Sequence, residues 1–209
     1  MTQIYNCAKS ENPNYWCLIQ CPGHGLDIIT DMPEQLTFGV SSEWDSRLPY
    51  SLASILDNAT LGLAGRLSDA VGWNPQNQYM SYQMWMGTTP IEIPLTLNFD
   101  HESDAQVDVF EPISKLMALQ FPINRMGGFL TPPGALRGGQ EGDADYAIHI
   151  KLGRMMHFLN CMMVSGNETL DARLDKNGFP ISGQVEATFR TSMVYGHIDW
   201  LKAMQLVQS

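Results

Sequence analysis

Between residues 91 and 100 the chain alternates strictly, with Ile91, Ile93, Leu95, Leu97 and Phe99 separated by Glu92, Pro94, Thr96, Asn98 and Asp100. A period of two sends successive side chains to opposite faces, so this segment predicts a strand with one buried face. Pro94 has no amide hydrogen for a ladder, which predicts an edge position or a bulge. The period then lengthens: Val107, Phe110, Ile113, Leu116, Met117 and Gln120 fall on one side of a helix. Ser103 and Gln106 are placed to open it as a capping box, and Pro112 should kink it by removing one backbone bond.

The same reasoning extends along the chain. Residues 15–20 read as a short strand closed by Cys21-Pro22-Gly23, and residues 35–41 alternate like a half-buried strand. Leu52, Ile55, Leu56, Ala59, Leu63, Leu67 and Val71 have helical spacing, a predicted insertion over residues 50–72. Residues 78–86 alternate again before Gly87-Thr88-Thr89-Pro90 breaks the strand. Residues 146–152 and 155–164 are further strands, the latter apolar on both faces and so expected to be buried on both. Residues 170–174 and 181–190 are joined through Asn177-Gly178, a strong hairpin signal. Residues 126–142 form a Gly- and Pro-rich loop longer than a compact domain needs, the kind of segment that is either functional or disordered. A short helix is expected at 197–206, within a C-terminal tail 194–209. The expected architecture is mainly β (α+β): a single domain over residues 1–209, seven or eight strands in two packed antiparallel sheets as a sandwich or barrel, a flanking helix and the extra helical insertion. There is no internal repeat.

Composition narrows the function classes. Of 209 residues only 16% are charged, and the balance of 22 acids against 12 Lys and Arg leaves a formal charge of -10. Such a chain repels nucleic acid rather than gripping it. Residues 10–46 carry six carboxylates and residues 67–114 seven, with no Lys or Arg in either stretch, so one face of a single sign is expected. The start, MTQIYNCAKS, lacks the basic and apolar regions of a secretion signal, and no apolar run approaches the roughly 18 residues of a membrane span. Five Trp and 13 Met supply more apolar surface than so sparsely charged a chain would expose, either as a Met-rich core or as contacts of a permanent subunit in a larger assembly.

Candidate chemistry is sparse. There is no Gly-x-Ser-x-Gly elbow, His-Glu-x-x-His pair or phosphate loop. Cys7, Cys17, Cys21 and His24 can be drawn as a zinc site, but Cys17 and Cys21 lie in an apolar strand, and buried free thiols or a disulfide remain the alternatives. Met155, Met156, His157, Cys161, Met162 and Met163 form a soft-ligand group of the type that holds copper(I), set against the simpler reading of a buried strand. His24, His101, His149, His157 and His197 each stand alone in their segments. No cofactor, metal or catalytic residue is expected.

The run Trp85-Met86-Gly87-Thr88-Thr89-Pro90, the strand ending Leu97-Asn98-Phe99, and the helix opening Asp104-Ala105 with Asp108-Val109, Glu111-Pro112-Ile113 and Leu116 resemble a bacteriophage tail-tube-fold protein of the baseplate centre. Pro132-Pro133, a strand opening near Ala147, and Leu174-Asp175, Gly178 and Pro180 leading to Val185-Glu186-Ala187-Thr188-Phe189 follow in the same order. The likeness spans about residues 75–192. It implies a tail tube initiator or baseplate hub of a contractile-tailed phage. Such a protein forms a hexameric ring that joins the central spike to the tail tube, with no enzymatic activity and no membrane contact. Implied partners are further copies of itself, the tail tube protein, the central spike and hub proteins, the tape measure protein, and wedge or sheath proteins; DNA passes the lumen without specific binding. Localisation is then the virion's tail baseplate, assembled in the host cytoplasm. The chain ends at Ser209 without the LysM module of a related connector, which favours the initiator. Trp85, Pro90, Pro94, Gly127, Pro132 and Pro133 are the expected subunit-interface positions. The alternative class is a small-ligand or carbohydrate-binding β-sandwich module.

Overall fold

A computed structural model of the chain describes residues 2–45, 84–124, 130–131 and 147–206. The chain divides into two compact units, one of Met1–Val40 with Pro90–Ser209 and one of Ser41–Thr89. The predicted helical insertion 50–72 lies outside the described residues, as do Gly127, Pro132 and Pro133.

The first unit is built on a seven-stranded sheet. Its strands are β1 (Gln3–Asn6), β2 (Trp16–Cys21), β3 (Leu26–Asp31), β6 (Glu92–Asp100), β9 (Ile148–Leu152), β10 (Met156–Leu170) and β11 (Ser182–Thr191), arranged in the order β1-β3-β2-β9-β10-β11-β6. β1 and β3 run parallel and every other pair in this sheet is antiparallel. The fold is therefore mainly β with helices, but the expected pair of antiparallel sheets is replaced by a single mixed sheet. The reason is curvature. The sheet curls until β3 approaches β6 and Lys9, just after β1, reaches Asp100 at the end of β6 with a 2.6 Å ion pair. A sheet that wraps around its own apolar face needs no second sheet to cover it.

That inner face holds Ile19, Ile28, Ile150, Phe158, Phe189 and Leu95, none more than 2% exposed. The alternation in β6 is obeyed without exception: Ile91, Ile93, Leu95, Leu97 and Phe99 are buried, while Glu92, Pro94, Thr96 and Asn98 are exposed. β6 is the last strand in the sheet order, as Pro94 predicts. Residues 35–41 are not the expected strand. A single bridge joins Gly39 to Glu92, and Leu36 and Phe38 lean half-buried onto the core.

The helix inside the curl departs from its expected phase. Residues Gln106–Phe110 form a wide π turn that leads into α1 (Glu111–Ala118). Pro112 stands in the first turn of α1, where its missing N–H removes no bond from the helix interior, and in the wide turn before it the Glu111 N–H donates to the Gln106 carbonyl. Val109 points inward with Ile113 and Leu116 at i, i+4, i+7 spacing, while Val107 and Phe110, expected on the same face, are 46% and 39% exposed. The predicted capping box does not form. Instead the Asp108 carboxylate accepts the backbone N–H groups of Glu102, Ser103 and Asp104 at 2.7–3.1 Å, and these bonds hold its pKa below the ordinary carboxylate value despite partial burial.

β10 and β11 form a hairpin whose tip contains Asn177-Gly178, as expected. Gly178 takes a left-handed φ of 87° and its N–H donates to the Asp175 carbonyl. The C-terminal helix α2 spans His197–Ala203 and packs against β10. A two-residue pair, β7 (Ile123–Asn124) and β8 (Leu130–Thr131), places residues 130–131 of the predicted loop in a short strand. In the second unit, the described residues include the ribbon of β4 (Ser42–Asp45) and β5 (Met84–Thr88).

Candidate functional site

Of the sequence-predicted interface positions, Pro90 and Pro94 belong to the first unit and Trp85 to the second. On the outer side of β6, Glu92 exchanges both backbone bonds with Gly39, at 2.9 and 3.0 Å. Alternation puts the nitrogen of Pro94 on that same outer side, where its lack of a hydrogen costs the sheet nothing. Trp85 stands opposite Trp44 across the ribbon at a one-residue register shift, and both indoles are more than half exposed.

One concavity in the first unit was not legible in the sequence. It is a groove of about 830 Å³ between β10, the segment after β11 and α2, lined by His157, Leu159, Asn160, Met193, Tyr195 and Lys202 among others. Along this groove β10 carries an extra residue: Phe158 pairs with Ile150 and Cys161 with Ile148, so three steps on β10 oppose two on β9. Asn160 takes a left-handed φ of 57° at this bulge, a conformation Asn tolerates better than most residues.

Each backbone group freed by the bulge finds a specific partner. Tyr195 Oη accepts the Leu159 N–H and donates to the Leu159 carbonyl. His149 Nδ1 accepts the Asn160 N–H at 3.3 Å, and Ser192 N–H donates to the Asn160 carbonyl at 2.8 Å. The bulge also corrects the expectation of a strand buried on both sides: Phe158, Cys161 and Met163 all face the core, whereas Leu159 is 46% and Val164 45% exposed.

Polarity in the groove is uneven. Burial, then the neighbouring charges of Lys151 and His149, lower the His157 pKa and favour its neutral form. Lys202 is exposed on α2. Ser192 Oγ is buried in the groove lining without a hydrogen-bond partner among the described residues. Beneath the groove Phe158 packs against Phe38, Tyr195 and Trp200 with ring centroids 5.4–6.4 Å apart, a rigid floor for α2.

The drawn metal sites do not assemble. Cys17 and Cys21 are buried on the core face of β2 on either side of Ile19, and burial pushes the Cys17 thiol up to about 12, against the thiolate that zinc requires. Among the described residues no three His, Cys, Asp or Glu side chains converge on a common point. The methionine-rich group is split by the bulge, with Cys161 in the core and Met155 half exposed. No helix among the described residues is long and apolar enough to cross a membrane.

No protein-family model matches the chain, and no curated protein matches it.

Proposed function

We propose that this protein is a structural, ring-forming component of a phage tail baseplate, a tail tube initiator or hub that joins the central spike complex to the tail tube. The observation that carries the reading is the distribution of apolar side chains. Leu159, Met193 and Val194 remain 46–58% exposed at one end of the β10-β11-β6 strands, and Val107, Phe110 and Leu174 remain 39–59% exposed at the other. A sparsely charged protein that keeps large apolar groups in water at both ends of these strands offers contact on two sides, the requirement of a subunit in a closed cyclic ring. The acidic balance supports the same reading, since a lumen that lets DNA pass must not bind it. The sequence likeness over residues 75–192 supplies the phage context, the partners and the virion location.

A second reading, a small-ligand module, is favoured by one observation: the unpartnered Ser192 Oγ in the wall of a groove large enough for a small organic molecule.

Electron microscopy of the purified protein separates the two. Six-fold rings, and tube subunits that polymerise only when those rings are supplied, are the expected result. A monomer that leaves tube polymerisation unchanged overturns the initiator reading and moves the ligand module ahead.

A further inference from the structure

The two exposed apolar surfaces differ in charge. From residue 147 to residue 167 the chain has Lys151 and Arg154 and no carboxylate. Lys151 stands directly opposite His157 across β9 and β10, and both His157 and Lys202 line the groove. Asp199 is the carboxylate of the groove lining, and it is engaged by the Gly196 N–H at 3.0 Å. In a protein of formal charge -10 this end is locally cationic.

The opposite end is acidic. Where β11 begins, Ser182 pairs with Asp100, and the chain continues from Asp100 into the loop that carries Glu102 and Asp104. Val107 and Phe110 follow at once, and Phe110 rests on Phe179 from the hairpin tip at 5.5 Å between ring centroids. Lys176 is the cation beside Asp104 and Asp175. The carboxylate of Asp108 is taken up by the loop's own backbone and that of Asp100 by Lys9, which leaves Glu102 as an exposed acid without a bonded partner among the described residues. The ten residues of β11 separate the two surfaces by roughly 30 Å, at about 3.3 Å per residue.

We propose that the groove lined by His157 and Lys202, with Lys151 beside it on β9, docks the acidic apolar face of a second copy of this chain, formed by Glu102, Asp104, Val107 and Phe110. The inference rests on the ring reading above and supplies its contact. Leu159, Met193 and Val194 meet Val107 and Phe110, so apolar area is removed from water on both copies, while the charges around the rims set register and orientation. Because groove and face lie at opposite ends of the same strands, each copy offers one surface to each neighbour, a head-to-tail contact that closes into a ring when its rotation permits. Like charges at mismatched ends disfavour groove-to-groove pairing.

Sedimentation velocity of the full chain at low and high salt tests this with three variants: Lys202→Glu, Glu102→Lys, and the two combined. Both positions are exposed, so the fold should survive, and circular dichroism of each variant verifies it. Each single reversal should weaken self-association by about tenfold, and the combined reversal should restore most of it. Rings that assemble equally well in all three variants overturn the docking proposal and leave the ring reading standing. A wild-type chain that remains monomeric at high concentration overturns both. A wild-type dimer that responds to the charge reversals upholds the contact and overturns the ring.

Discussion

The hydroxyl of Tyr195 grips Leu159 from both sides, accepting its N–H at 3.1 Å and donating to its carbonyl at 3.0 Å. One side chain from the segment after β11 thereby satisfies both backbone groups of a residue inside the bulge of β10.

Tyr195→Phe removes both bonds while keeping the ring against Phe158. Since Leu159 is partly exposed, water takes up some of the loss, and destabilisation of about 1 kcal/mol is expected in urea unfolding with an unchanged m-value. A variant as stable as the wild type would show that the bulge does not need its clamp.

Leu95 and Thr96 are neighbours on β6 with opposite fates, one 2% exposed and the other facing water. Leu95→Asp places an unpaired carboxylate in the core at a cost of several kcal/mol and should abolish cooperative unfolding. Thr96→Asp should leave the circular dichroism spectrum and melting curve nearly unchanged. If both variants fold equally well, the inward and outward faces of β6 have been assigned wrongly.

Gly183 admits the tip of Ile113. An added Cβ would lie 2.5 Å from Ile113 Cδ1 and 3.1 Å from Leu170 Cδ2, inside van der Waals contact. Gly183→Ala should therefore cost about 1–3 kcal/mol by overpacking between β11 and α1, read by thermal melting. Pairing it with Ile113→Val, which withdraws that atom, should recover part of the loss.

Alkali should unfold this protein early. Burial raises the thiols of Cys17 and Cys161 from 9.0 to about 12, so the unfolded chain releases these protons first. Their protonated forms contribute stability that is fully present below pH 9 and lost as pH rises from 9 towards 12, at about 1.4 kcal/mol per pH unit for each thiol across that window. Tyr195, raised from 10.0 to about 12 chiefly by burial, acts in the same direction from pH 10 upward. Urea midpoints measured at pH 7.5 and pH 10.5 test this, and Cys17→Ala should flatten the dependence. A midpoint that does not change over this range would place the thiols in contact with water.

Period and composition were enough to set the faces of β6, the edge position marked by Pro94, the Asn177-Gly178 turn and the mainly β character, because each follows from local geometry that a neighbouring strand only has to accept. The acidic balance and the scarcity of charge were likewise plain in the residues themselves. What the tertiary structure decided was the buried face of α1, the bulge in β10 and the curling of one sheet in place of two. Val107 and Phe110 lie outside because the buried stripe of the helix runs through Val109, Ile113 and Leu116, and only packing chose that stripe over the neighbouring one through Val107 and Phe110. Leu159 lies outside because Tyr195, more than thirty residues later, satisfies the backbone of a bulge that alternation alone counts as regular strand. The groove is made from β10, the segment after β11 and α2, and the cations beside it, Lys151 and Lys202, are separated along the chain and joined by packing.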